Sequence, residues 1–197
     1  MNVVLNFRQS PESEFGIYGH AYHEAGRTLA EGLLSGFGIR DFEVLPLVFL
    51  FRHALELYLK AVLFWGNRLM NFNGDGVTEE ELWKQFNGHR LTPLLDRVQK
   101  VLEFMNWEWQ TENPGSETIA DARAVIAELD AVDPNSFAFR YPTTKSGDGA
   151  LEHHFLFNLR EFLAVIDPLV DMLDTAVFGL EAEWDNACSA YDSYGYE

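Results

Sequence analysis

Apolar residues recur at three- and four-residue steps along most of the chain, the spacing of helices that bury one face. Between Val44 and Trp65, VLPLVFLFRHALELYLKAVLFW, that periodicity gives way to near-continuous hydrophobicity, broken only by Arg52, His53, Glu56 and Lys60. With Arg52 set at zero and a turn of about 100° per residue, Glu56 falls near 40°, Lys60 near 80° and His53 near 100°. All four therefore share one narrow stripe. A helix that is apolar around the rest of its circumference belongs at the centre of a bundle.

The flanking segments supply the rest of such a bundle. Phe15, Tyr18, Tyr22, Ala25, Leu29 and Leu33 mark an amphipathic helix from Glu14 to Leu34, after an extended lead-in over Met1–Ser13. Gly16, Gly19, Gly26 and Gly32 weaken it locally but permit close packing against a neighbour. Gly36–Gly38 is a stop, and Pro46 fits only the first turn of the central helix. Asn71–Gly76 is a loop, and Thr78 with Glu81 forms a capping box for a short helix over Glu79–Phe86. A further helix spans Arg90–Trp107, with Thr92 as its cap and Pro93 in its first turn. Asn113–Gly115 is a turn, and Ser116 caps a helix to Ala131 that ends at Asp133–Ser136. The stretch FAFRYP, Phe137–Pro142, is expected to be extended and Thr143–Gly149 to be a polar loop. Leu151 to Trp184 hold a helical period throughout, with Pro168 expected to kink or divide the helix at Asp167. The expectation is an all-α, single-domain, up-and-down bundle of five to six helices over residues 1–185, followed by a loose, acidic, tyrosine-rich tail over 186–197.

Composition narrows the class of partner. The 197 residues are 47% hydrophobic and 14% aromatic, enough to build a core without metal or disulfide staples. Thirty-one acidic against 14 basic residues give a net charge of −17, which disfavours RNA and anionic membranes and favours a protein partner with a basic surface. The single cysteine, Cys188, cannot form an intramolecular disulfide, and the start MNVVLNFRQSPES lacks the basic and apolar regions of a signal peptide. Ionisable residues in the middle of the central run make a membrane span costly. A cytoplasmic, soluble protein is expected.

FRHALELYLKAVL at Phe51–Leu63, GHRLTPLLDRV at Gly88–Val98 and DPNSFAFRYP at Asp133–Pro142 together resemble the HEPN-like superfamily. The likeness runs from Leu45 to about Ile166 and lies closest to bacterial members with an Arg-His-x-Leu-Glu-Leu helix. It implies a four- or five-helix bundle, homodimerisation, and association with toxin–antitoxin and phage-defence systems. Active members of that superfamily are metal-independent ribonucleases with an arginine followed, after four to six residues, by a histidine. No arginine of this chain has a histidine at that spacing: Arg52 and His53 are adjacent, and His89 precedes Arg90. The resemblance thus implies either a noncatalytic, partner-dependent binding module or a divergent ribonuclease whose site is assembled from different helices.

The candidate catalytic cluster is Arg52, His53, Glu56, His89 and Arg140, in which an imidazole would act as general base on a 2′-hydroxyl and arginine would stabilise the phosphorane. The competing reading is structural: Arg52 and Glu56 are an i,i+4 pair, and buried ion networks specify packing without catalysing anything. Lys60 and Tyr58 could line a small-molecule pocket in the core. Tyr141 and its aromatic neighbours could stack a base beside Arg140, or lock an extended linker onto the bundle. Asn71, Asn73, Asp75, Gly76 and Glu79 echo a calcium loop, but Leu82 stands where a bidentate glutamate should close it, and a solvated connection explains the same residues. His20 with His23, one turn apart, and the adjacent His153–His154 match no zinc-protease motif. Cys188 lacks a histidine neighbour, and there is neither a glycine-rich phosphate loop nor a nucleophile elbow. No metal or cofactor is expected.

Overall fold

The apolar central run folds as one 29-residue helix, α2 (Val44–Phe72), entered through a 3₁₀ turn at Asp41–Glu43, and every residue from Ala54 to Asn67 is buried. The computed structural model describes residues 14–36, 41–109, 115–151 and 157–194. Around α2 lie α1 (Phe15–Ser35), α3 (Glu79–Phe86), α4 (Leu91–Met105), α5 (Ile119–Val132) and α6 (Leu159–Tyr194). α1, α6 and α4 pack directly on α2, while α5 closes the far side against α4 and α6. The described residues form an all-α bundle of six helices with no strand beyond an isolated bridge between Thr143 and Gly149.

Missing side chains set the helix spacing. A Cβ on Gly19 or Gly26 would lie 3.1 Å and 3.0 Å from the rings of Tyr58 and Phe51, so these glycines of α1 seat the aromatic knobs of α2. At the crossing of α2 and α4, a Cβ on Gly66 would come within 2.3 Å of Val101 Cγ1. Gly32, grouped with the packing glycines in sequence, faces open space.

Several local expectations are corrected. α2 continues past Trp65 to Phe72, so the loop begins only at Asn73. The cap of α5 is Thr118, which forms a reciprocal capping box with Asp121, and not Ser116. Thr92 does not cap α4. The Asp130 carboxylate at the end of α5 accepts the Leu91 and Thr92 amides at 2.9 and 2.8 Å and the Thr92 hydroxyl at 2.7 Å, satisfying orphan donors from another helix. FAFRYP is not extended. The Arg140 and Tyr141 amides both donate to the Phe137 carbonyl, which coils the stretch into a turn, buries Phe139, and stacks Phe137 on Tyr141 at 4.5 Å.

The last helix begins at Leu159, eight residues after Leu151, and runs unbroken through Pro168 and on through 186–194, where the sequence predicts a loose tail. Proline in a helix interior removes a backbone bond and disfavours helical geometry at the residue before it. Ile166, Leu169 and Val170 are fully buried on either side, and Asp167 is bonded from α1, so tertiary contacts hold the helix through the defect. Met1–Ser13, most of the stop after Gly36, most of the Asn113–Gly115 turn, His153–His154 and the last three residues lie outside the described residues.

Candidate functional site

Arg52 has no solvent exposure, and its guanidinium ties four parts of the chain together. It donates to the His89 carbonyl at 2.8 Å and to Glu56 at 3.5 Å on its own helix. It lies 3.6 Å from Asp130 and 3.9 Å from Asp133. Glu56 Oε1 is shared by Lys60 Nζ at 2.8 Å and His89 Nδ1 at 3.0 Å. The other Asp133 oxygen accepts the Phe137 and Ala138 amides at 2.6 and 3.0 Å and so fixes the turn that carries Arg140. Burial pushes the Arg52 pKa down, against the nearby Asp133, Glu56 and Asp130 charges, yet a guanidinium keeps its proton in a protein. Inside the bundle, then, Arg52 and Lys60 face Glu56, Asp130 and Asp133, with His89 closing the network from a side chain 53% exposed.

The structure thus brings together Arg52, Glu56, Lys60 and His89 of the candidate residues. His53 and Arg140 sit beside that network on the ring of Phe49. The His53 imidazole stacks on it at 5.4 Å and meets Tyr22 edge-on at 4.5 Å, and the Arg140 guanidinium lies 5.3 Å from its centre. Arg140 also covers Tyr141 at 5.6 Å and donates through Nε to the Ser136 carbonyl. Burial lowers the His53 pKa, with Lys60, Arg140 and Arg52 adding to the effect and Glu56 opposing it, so the imidazole is neutral at pH 7. Tyr58 is not part of this group. It projects from the other side of α2, fully buried against Gly19, and burial followed by the Asp174 charge raises its pKa.

Asp130 and Asp133 were missed as members of the site. Their signal was two carboxylates at the C-terminal end of a helix, where the macrodipole disfavours negative charge unless cations or amide donors face them. A second cluster was missed altogether. His23 and Arg27 on α1 reach Asp167 on α6 at 2.6 and 2.8 Å, and Arg27 also pairs with Asp171. Burial pushes the Asp167 carboxyl up, but the hydrogen bonds from His23 and Arg27 outweigh it and hold the group below the usual carboxylate range. The same bonds raise the pKa of Arg27. His23, being engaged with Asp167, does not pair with the exposed His20 on a metal. Among the described residues no group of three or more His, Cys, Asp or Glu side chains is placed to hold a metal ion.

The calcium-like stretch has another organisation. Asn67 and Asn71 both donate to the Val77 carbonyl, at 3.1 and 3.0 Å, and Asn73 donates back to Leu69. These amides stitch the loop to the end of α2. A cleft of about 390 Å³ lies elsewhere, between α2, α5 and α6, and is lined mainly by Val48, Leu129, Phe139, Phe162 and Val165. It touches neither Tyr58 nor the charged stripe. No described helix is long and apolar enough to cross a membrane.

Chemically, the buried network can hold helices in register. Arg52 cannot reach a phosphate in solution from where it sits. Comparison with protein-family models, with curated proteins and with solved structures finds no match to the chain.

Proposed function

We propose that this chain is a noncatalytic helical binding module that works through a protein partner, in keeping with the noncatalytic side of the HEPN-like resemblance. The observation that carries the reading is the full burial of Arg52, whose guanidinium is hydrogen-bonded to Glu56 and the His89 carbonyl and enclosed at ion-pair distance by Asp130 and Asp133. A ribonuclease arginine must meet the phosphate as charge develops on it, and a group enclosed by three carboxylates is tuned to hold helices. The surface complements this: Phe72 and Tyr191, 50% and 70% exposed, meet at 6.3 Å in an open apolar pair suited to association. A role in a toxin–antitoxin or phage-defence system, and homodimerisation, follow from the resemblance alone.

One observation favours the second reading, a divergent metal-independent ribonuclease. His89 presents an exposed imidazole whose Nδ1 is oriented by the buried Glu56 carboxylate, the relation of a general base to its orienting group. Incubating labelled single-stranded RNA and tRNA in EDTA with wild type and with the His53→Ala/His89→Ala double variant decides between them. The module reading expects both proteins to leave the RNA intact and a specific protein to be recovered with the chain from its native host. Cleavage by wild type that the double variant loses would establish the ribonuclease instead.

A further inference from the structure

At the end of the bundle where α2 finishes, five aromatic side chains from two helices form one face, three of them around a cation. The Arg68 guanidinium lies 4.9 Å from the ring centre of Phe64, 5.5 Å from Trp65 and 5.3 Å from Trp184. The face continues outward: Phe72 meets Trp184 edge-on at 6.4 Å and Tyr191 at 6.3 Å. Its outer rim is open to solvent, with Phe72 50% and Tyr191 70% exposed. Helical geometry puts Tyr191 about 20° from Trp184 on α6, so the two aromatics share one stripe. Acidic residues flank them in EAEWD, Glu181–Asp185, and from Glu161 to the C-terminus the sequence contains no lysine, arginine or histidine.

Each feature points to the same complement. Ring faces attract a cation, a guanidinium most readily because it is weakly hydrated and planar, and Arg68 already occupies the inner rings in this way. The acidic residues that neighbour Trp184 along α6, within a chain of net charge −17, add long-range attraction and reject anionic surfaces. A second copy of this chain is disfavoured as occupant, because a two-fold contact would oppose Glu181, Glu183 and Asp185 to their own images. We propose that the Phe72–Trp184–Tyr191 face is a docking site for a basic partner segment that packs an arginine against the exposed aromatic rings. This rests on the module reading above and gives its partner a chemistry.

The test is selection of a random displayed-peptide library on the full-length protein, followed by fluorescence anisotropy with the synthetic consensus peptide. The variant is Phe72→Ala/Tyr191→Ala, which changes only exposed rings and is checked for an unchanged circular-dichroism melt. The expected result is enrichment of arginine-bearing peptides on wild type. The consensus peptide should lose ~10-fold or more in affinity on the variant, and also when its arginines are replaced by glutamine. No enrichment, enrichment of neutral or acidic peptides, or equal binding to the variant would overturn it. So would sedimentation showing a dimer in wild type and a monomer in the variant, since the occupant would then be a second copy. If a native partner, once recovered, binds the variant as it binds wild type, the docking face fails while the module reading stands.

Discussion

At the scale of single residues, Arg52 is the most informative side chain because its removal strands so much. Glu56, Asp130 and Asp133 are each almost fully buried, and Arg52 faces all three. Arg52→Met keeps the volume and deletes the charge, so it should destabilise the fold by about 3–5 kcal/mol in urea titration, the usual cost of leaving a buried ion unpaired. A change below about 1 kcal/mol would mean that the carboxylates are compensated by other means. His53 gives the pH signature. Its pKa is depressed in the folded protein from 6.5, mainly by burial, so between 6.5 and that lower value the unfolded chain binds more protons. Stability attributable to His53 is therefore complete above pH 6.5 and declines as pH falls below it. His53→Gln should flatten the dependence of Tm on pH in that window, and an unaltered slope would assign it to other groups. The stripe that carries both residues was legible in sequence, since angular position on one helix follows from spacing alone. Of its partners, His89 was named from sequence, and the two aspartates were not. Asp130 and Asp133 join it only because α5 ends beside the start of α4, a tertiary fact with no local signature beyond two carboxylates at an unfavourable helix end.

At the scale of elements, the strongest periodicities were the ones the chain honours. The capping box at Thr78 and the bounds of α3 emerge as read, and α1 and α4 differ from expectation by one or two residues at each end. The departures share a cause: local propensity yielded to packing. FAFRYP reads as an extended linker from its aromatic alternation, yet Asp133 draws two amides of the segment onto one carboxylate oxygen and coils it. Pro168 reads as a break, yet the fully buried Ile166, Leu169 and Val170 and the His23–Arg27–Asp167 cluster keep α6 whole. The retained proline is thus a standing cost. Pro168→Ala restores a donor to the Ala164 carbonyl and should raise stability, by as much as ~3 kcal/mol less the packing lost from the half-buried ring. A lower Tm for Pro168→Ala would mean that the ring's contacts outweigh the helix defect.

At the scale of the whole molecule, two electrostatic regimes coexist. The interior holds cations and carboxylates in close pairs that salt screens weakly, while the surface carries most of a net charge of −17 with few cations to answer it. Exposed pairs such as Lys84–Glu80 and Arg123–Asp96 contribute about 0–1 kcal/mol each, so losing them to screening is a small effect. Repulsion among the remaining carboxylates, including the base-free run from Glu161 to the C-terminus, acts over a Debye length of roughly 10 Å at 0.1 M salt and roughly 3 Å at 1 M. Screening should therefore relieve more repulsion than it removes attraction. Raising sodium chloride from ~0.1 M toward ~1 M should increase Tm at neutral pH, with most of the gain reached once the Debye length falls below the spacing of neighbouring carboxylates. Arg52→Met should show the same salt-dependent gain on a lower baseline, because the network it disrupts lies out of reach of the screening ions. A Tm that falls with salt in wild type would reverse the order, making the partly exposed His23–Arg27–Asp167–Asp171 cluster between α1 and α6 a larger contributor than the repulsion around it.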